Sequence, residues 1–320
     1  SKITGVDLAK LVVKAIMLLE DSGLQVVALT SDGASTNKTM YKMLGVSGKR
    51  ADLKNYFQNP YDETRKVFVL CDAPHTTHPS QDCIKWDHYC QVFNNDSKNM
   101  LKICPKISRH HMELNNLTKM KVKYATQVFS KSMAVGIQFY RAQECTGLND
   151  SLGTQEFTIK MNDMFDAMNR KFPAEGIRKN SKDLEVLNQS LHWLEEWEAN
   201  LEKGLIEEKE FLTKNTCESL RITLKSTIDL VHYLLEECGF SYVLTSKLNQ
   251  DSLEKFFGII RQSSGPNDHP STPTFLQLYR LLSIYSLVKP PKSGNCTVFA
   301  GIKETLKKMN SLQLKKTKHV

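Results

Sequence analysis

With 320 residues, 40% hydrophobic and 8% aromatic, the chain can fill two packed domains, which excludes disorder over most of its length. The net charge of +8 suits either a polyanionic partner or a solvated surface, and part of the excess sits in a tail holding Lys303, Lys307, Lys308, Lys315, Lys316 and Lys318. No run of about 20 uncharged apolar residues could cross a membrane as a helix, the opening residues do not read as a signal peptide, and the eight scattered cysteines read as reduced thiols.

Residues 6–20 carry Leu8, Leu11, Val12, Ala15, Ile16 and Leu19 at helical spacing, with Gly23 as the stop. Residues 25–30, QVVALT, read as a short buried strand that delivers Ser31-Asp32-Gly33 to its C-terminal tip. Ligands and catalytic groups collect at that edge of α/β sheets, although Asp-Gly is also an ordinary turn. A helix is predicted over 37–44 and a strand over 66–71. Cys71, His75, His78, Cys83, His88 and Cys90 resemble a zinc cluster but lack its paired short spacings. Cys71 reads instead as a buried thiol and His75 as the member facing a crevice. From about Ile103 the pattern turns helical, with predicted helices over 122–140, 157–169, 186–202 and 216–237. Trp193 and Trp197, four residues apart, read as core contacts. Pro266, Pro270 and Pro273 mark a turn-rich exit before a helix over 275–287.

The run from Asn249 to Gly258 sets Asp251 and Glu254 one helical turn apart, with Leu253, Phe256, Phe257 and Ile260 on another arc. A carboxylate pair on a buried helix can hold a hard divalent cation. Asp-x-x-Glu before an apolar run is equally a capping signature, with Asp251 as cap and Glu254 reaching back. The chain has no Gly-x-x-x-x-Gly-Lys-Ser/Thr loop, so any nucleotide site must be of another kind. Asp166 and Asn169, at i and i+3, could read the N1–H and amino edge of guanine, or simply form a polar helix end before Pro173.

Five segments, SDGASTNKTMYKMLGV (31–46), CDAPH (71–75), KMKVKYATQVFSKSMA (119–134), MFDAMN (164–169) and LNQDSLEKFFGIIRQSSGPNDHP (248–270), resemble successive landmarks of P element and THAP-type transposases, in the family's order. The resemblance implies an α/β plus α architecture, an RNase H-like domain interrupted by a mainly helical GTP-binding insertion. It also implies two-metal cleavage and strand transfer of DNA with Mg²⁺. Asp32 would be the second catalytic aspartate and Glu254 the closing glutamate, with Asp251 beside it. Lys106, Lys121, Val122, Ser130, Asp166 and Asn169 would form the GTP site.

The family's first aspartate is expected on a strand upstream of the helix beginning near Thr4, before the first residue here, so the chain is read as a fragment or decayed copy. After Asp72-Ala73-Pro74-His75, TTHPSQDCIKWDHY stands where the family has a basic Leu-Leu-Lys helix. The family's zinc-coordinating THAP module is not found in the sequence. The expected division is 1–104 and 215–264 for the RNase H-like part, 105–214 for the insertion, and 265–320 for a C-terminal segment with the basic tail. Expected partners are transposon ends, target DNA and GTP, in the nucleus, with no membrane and with room for a homo-oligomer. A competing reading is a non-catalytic, domesticated or decayed binding module that keeps the fold and basic surface.

Overall fold

The computed structural model describes residues 3–71, 84–113, 122–264 and 270–288. They fall into two compact units, Ser1–Ser252 and Leu253–Val320. The first unit opens with α1 (Gly5–Asp21), whose first turn is fixed by Thr4: its hydroxyl accepts from the Asp7 amide at 3.2 Å. The helix stops at Ser22, and Gly23 follows at φ +83°, a conformation that favours glycine.

Three strands follow: β1 (Ala28–Ser31), β2 (Tyr56–Gln58) and β3 (Lys66–Cys71), in the order β1-β3-β2. β1 runs parallel to β3, pairing Ala28 with Phe68 and Ser31 with Cys71, and β2 is antiparallel to β3. The strand expected over 25–30 thus starts three residues later and ends one later. At its entry, side chains satisfy the backbone: the Val26 amide donates to Glu20 Oε1 at 2.8 Å and the Val26 carbonyl accepts from Asn59 Nδ2 at 3.3 Å. β3 lies where the apolar run predicts it. Val67, Val69 and Cys71 turn to the core shared with α1 and α2 (Ser35–Met43), while Phe68 and Leu70 pack toward Leu230 and Tyr233 of α9 (Lys214–Glu236). Both faces are covered, so the strand reads as continuous rather than alternating apolar sequence.

The chain then becomes helical: α3 (Trp86–Asp96), α4 (Arg109–Met112), α5 (Val122–Val128), α6 (Lys131–Ala142), α7 (Leu152–Ala167) and α8 (Lys182–Glu202) precede α9. The single helix expected over 122–140 is two. Ser130 ends its continuity by capping α6, its hydroxyl accepting from the Met133 amide at 3.3 Å. Trp197 is buried in the core that joins α7, α8 and α9, with its ring 5.0 Å from that of the partly buried Trp193.

α9 serves two cores, and the polar groups along it explain how. Arg221, fully buried, donates to the Gly48 carbonyl at 2.6 Å and to Glu198 of α8 at 2.5 Å. A side chain at Gly48 would meet the Glu218 carbonyl oxygen at 2.5 Å, so only glycine lets that loop approach α9. Thr223 grips the end of β3: its hydroxyl donates to the Cys71 carbonyl at 2.7 Å and accepts from the Cys71 amide at 3.0 Å.

The second unit contains most of α10 (Asp251–Ser263) and all of α11 (Thr272–Val288). Phe257 stacks on Phe275 at 6.0 Å and Phe256 meets Tyr279 edge-on at 5.9 Å. The expectation of a buried α10 needs correction: Leu253 is 49% exposed and Phe257 39%, and Ile260 is its buried residue.

Candidate functional site

β1 carries Asp32 past its tip, and the residues around it fix the carboxylate. Oδ1 accepts from the Ala34 amide at 2.9 Å and from Asn37 Nδ2 at 2.7 Å, an Asx-type turn that starts α2 two residues earlier than its apolar pattern suggests. Asp32 is exposed, and among the described residues Oδ2 accepts no hydrogen bond. Ser31 Oγ pairs with the Tyr41 phenol, whose pKa burial pushes well above its ordinary range.

The chain entering α10 is tied to this tip. Thr30 Oγ1 donates to the Leu248 carbonyl at 2.8 Å across 218 positions of sequence. The next residue, Asn249, accepts from the Asp251 amide at 3.1 Å, and its own amide donates to Asn169 Oδ1 at 3.2 Å. Asn249 rather than Asp251 is therefore the side-chain acceptor at this helix start, which corrects the capping alternative for Asp251. Asp251 is exposed three residues beyond Leu248; Glu254 belongs to the second unit and is exposed on α10. Among the described residues no three His, Cys, Asp or Glu side chains gather as a metal site.

A second site lies among the helices. A cavity of about 270 Å³ is lined by Lys106, Ser130 and Asp166, together with Ser132, Asn162 and Phe165. Asn162, one turn before Asp166 on α7, donates to Asp166 Oδ2 at 3.2 Å and accepts from the Lys131 amide at 3.0 Å, so it joins α7 to the start of α6. Its i, i−4 relation to Asp166 was the sequence signal that could have found it. Asn169 does not line the cavity: past the end of α7, its Nδ2 donates to the Phe165 carbonyl at 2.9 Å and its Oδ1 faces Asn249. Lys121 and the Val122 side chain lie outside the described residues.

Of the zinc-like cluster, His75, His78 and Cys83 also lie outside the described residues. Both ring nitrogens of the buried His88 are engaged, Nδ1 with Thr154 Oγ1 at 2.7 Å and Nε2 with Asp150 Oδ1 at 3.1 Å. Burial pushes the Cys71 thiol up to about 11, away from the thiolate a metal needs.

Three family models match the chain in order: the TNP-like RNase H N-terminal domain over residues 1–45, the TNP-like GTP-binding insertion domain over 69–181, and the TNP-like RNase H C-terminal domain over 246–280. The Transposable element P transposase of Drosophila melanogaster is 30% identical over 292 residues, 82% of this chain and 36% of that protein. The chain belongs to the TNP-like family of P element transposases. Human DNA transposase THAP9 is 24% identical over 301 residues, 85% of this chain and 32% of its own length. The chain thus spans about a third of the length of these curated relatives. Among solved structures, the Drosophila P element transposase strand transfer complex matches with a TM-score of 0.68 and 27% identity, over 91% of this chain and 66% of that one. The fold is accordingly RNase H-like with a mainly helical insertion.

Proposed function

We propose that this chain supplies the RNase H-like and nucleotide-binding portions of a transposase that cuts and joins DNA in the nucleus, with Mg²⁺ and GTP as cofactors. The division of labour is 1–104 with 215–264 for the RNase H-like part, 105–214 for the insertion and 265–320 for a C-terminal segment whose lysines meet DNA phosphates.

The observation that carries the nucleotide half is the meeting of Lys106, Ser130 and Asp166, from three segments spread over 60 positions, in one cavity within the stretch that matches a GTP-binding insertion domain. At about 270 Å³ the cavity is sized for a base rather than a whole triphosphate. Asp166 reads the two donors of guanine's N1–H and amino edge, whereas adenine turns an acceptor at N1 toward it. Asn169 positions the end of α7, and Lys106 and Lys121 meet phosphate oxygens as point charges.

For the metal, the donor chemistry fits. Asp32 offers an oriented carboxylate with Oδ2 open, and Glu254 and Asp251 add exposed carboxylates, all hard oxygen donors of the kind Mg²⁺ prefers. Bound there, Mg²⁺ would activate the attacking oxygen and stabilise the leaving one. Asp32 and Glu254 would be the residues that hold it. Two or three carboxylates are few for two ions, and this favours a second reading for the polypeptide alone: a non-catalytic DNA- and nucleotide-binding module.

Isothermal titration separates the two halves. The parent chain is expected to bind GTP more tightly than ATP, and Asp166→Asn to lose about 1.5 to 3 kcal/mol of GTP affinity, the range for hydrogen bonds to charged groups. Equal binding of the two nucleotides by the parent returns Asp166 to a polar helix end. Mg²⁺ titrated without nucleotide should give a signal that Asp32→Asn abolishes.

A further inference from the structure

The loop between α3 and the cavity presents two apolar side chains to water without cover: Met100 is 100% exposed and Leu101 88%. Such exposure is ordinary on a floppy loop, but this one is anchored. Asp96, buried at the end of α3, accepts from the Ile103 amide at 2.7 Å through Oδ1 and from the Cys104 amide at 2.9 Å through Oδ2, so one carboxylate closes the loop's two ends. The Tyr140 hydroxyl donates to Asp96 Oδ1 at 2.9 Å and accepts from Asn99 Nδ2 at 2.8 Å. The Asn99 and Lys98 amides return to the Asp96 and Asn95 carbonyls at 3.2 Å each. A rigid base thus holds an apolar tip outward.

The charge along the loop is one-sided. From Ser97 to Met112 the sequence holds Lys98, Lys102, Lys106 and Arg109 and no carboxylate, and Arg109 is paired with Glu113. Lys98 and Lys102 flank the tip, both exposed, and neither forms an ion pair among the described residues. Protein-binding surfaces are depleted in lysine, and membrane anchoring needs a broader apolar face than two side chains. An apolar wedge between cations is what enters a base step, unstacking it while the flanking ammonium groups meet phosphates.

We propose that Met100 and Leu101 form a wedge that inserts into a weakened or branched step of duplex DNA, with Lys98 and Lys102 on the adjoining phosphates. The inference rests on the reading of DNA as this chain's substrate. The test uses the full chain and 30-base-pair duplexes of one sequence, either intact or with a single mismatch beside a 2-aminopurine. The parent should prefer the mismatched duplex about tenfold and raise its fluorescence, because a mismatched step costs least to open. M100S/L101S, altered only at exposed positions, should melt like the parent, keep its affinity for intact duplex, and lose both the preference and the fluorescence rise. K98A/K102A should weaken both duplexes alike and flatten the slope of log affinity against log salt by about 2. An M100S/L101S variant that keeps the preference overturns the wedge while leaving DNA binding in place. Loss of binding to phosphatidylglycerol vesicles in that variant, with DNA binding unchanged, replaces the wedge with a membrane contact. No DNA binding by the parent overturns the substrate reading as well.

Discussion

Asp32 divides its two carboxylate oxygens, Oδ1 holding the turn into α2 and Oδ2 facing outward. Asp32→Asn keeps an acceptor for the Ala34 amide and should cost little stability, whereas Asp32→Ala should cost about 1 kcal/mol, as the loss of a cap does. Thermal melts of the two variants check this, and the same pair separates the residue's fold role from its charge. Glu20 is a different case, buried beside Arg65 at 2.6 Å and bonded to Asn59 at 2.8 Å. The Arg65 guanidinium, with the Val26 amide and Asn59, outweighs the opposing effect of burial and holds its carboxyl at about 2, below the ordinary 4.5. A carboxyl lowered by folding adds stability that is fully present above its unfolded pKa, so this contribution should hold above about pH 4.5 and fade as the pH falls toward about 2. Arg65→Ala should cost about 3 kcal/mol at neutral pH, because it strands a buried charge, and should flatten the acid limb of a stability profile.

Among the elements, α9 has the most to lose. Leu224 faces the helical core and Leu230 the sheet, both fully buried, so either residue changed to Ala should cost 2 to 5 kcal/mol, read by urea denaturation. Ser130→Ala should cost about 1 kcal/mol through the lost cap of α6. These elements also show what a sequence reveals. β3 was legible because both its faces are buried and its apolar run is unbroken, and α9 because its length and spacing allow nothing else. β2 was not read, since a three-residue strand with one buried side chain, Phe57, carries no period. α3 was missed because its inward face includes His88 and Asp96, polar residues satisfied by partners outside the helix, Thr154 for the first and the Ile103 and Cys104 amides for the second. Ser130 broke an expected helix by a cap that looks, in sequence, like one more polar residue. At the candidate site, Asp166 stands out with Asn169 by i, i+3 spacing, whereas Lys106 is named only through resemblance to a family. Asn162 is legible only as the i, i−4 neighbour of Asp166; its bond to the Lys131 amide, which joins α6 to α7, exists only once both helices are packed.

On the scale of the whole chain, the balance between acidic ligands and charge suggests how the polypeptide should behave alone. With Asp32, Asp251 and Glu254 as its candidate ligands it should bind DNA with a strong salt dependence but show no strand transfer in Mg²⁺ or Mn²⁺. Robust cleavage of plasmid DNA that depends on Glu254 would show that other residues complete the site. The bond between Cys71 and Thr223 bears on how such a chain could be put together. The chain between them, 151 residues long, starts and ends at one doublet of hydrogen bonds at the end of β3, as a side road rejoins a highway at the junction where it left. Lengthening it costs about 0.6 kcal/mol of closure entropy per doubling. An ancestor could acquire, enlarge or exchange such a module without moving a strand, and an engineer could splice a foreign domain at the same junction.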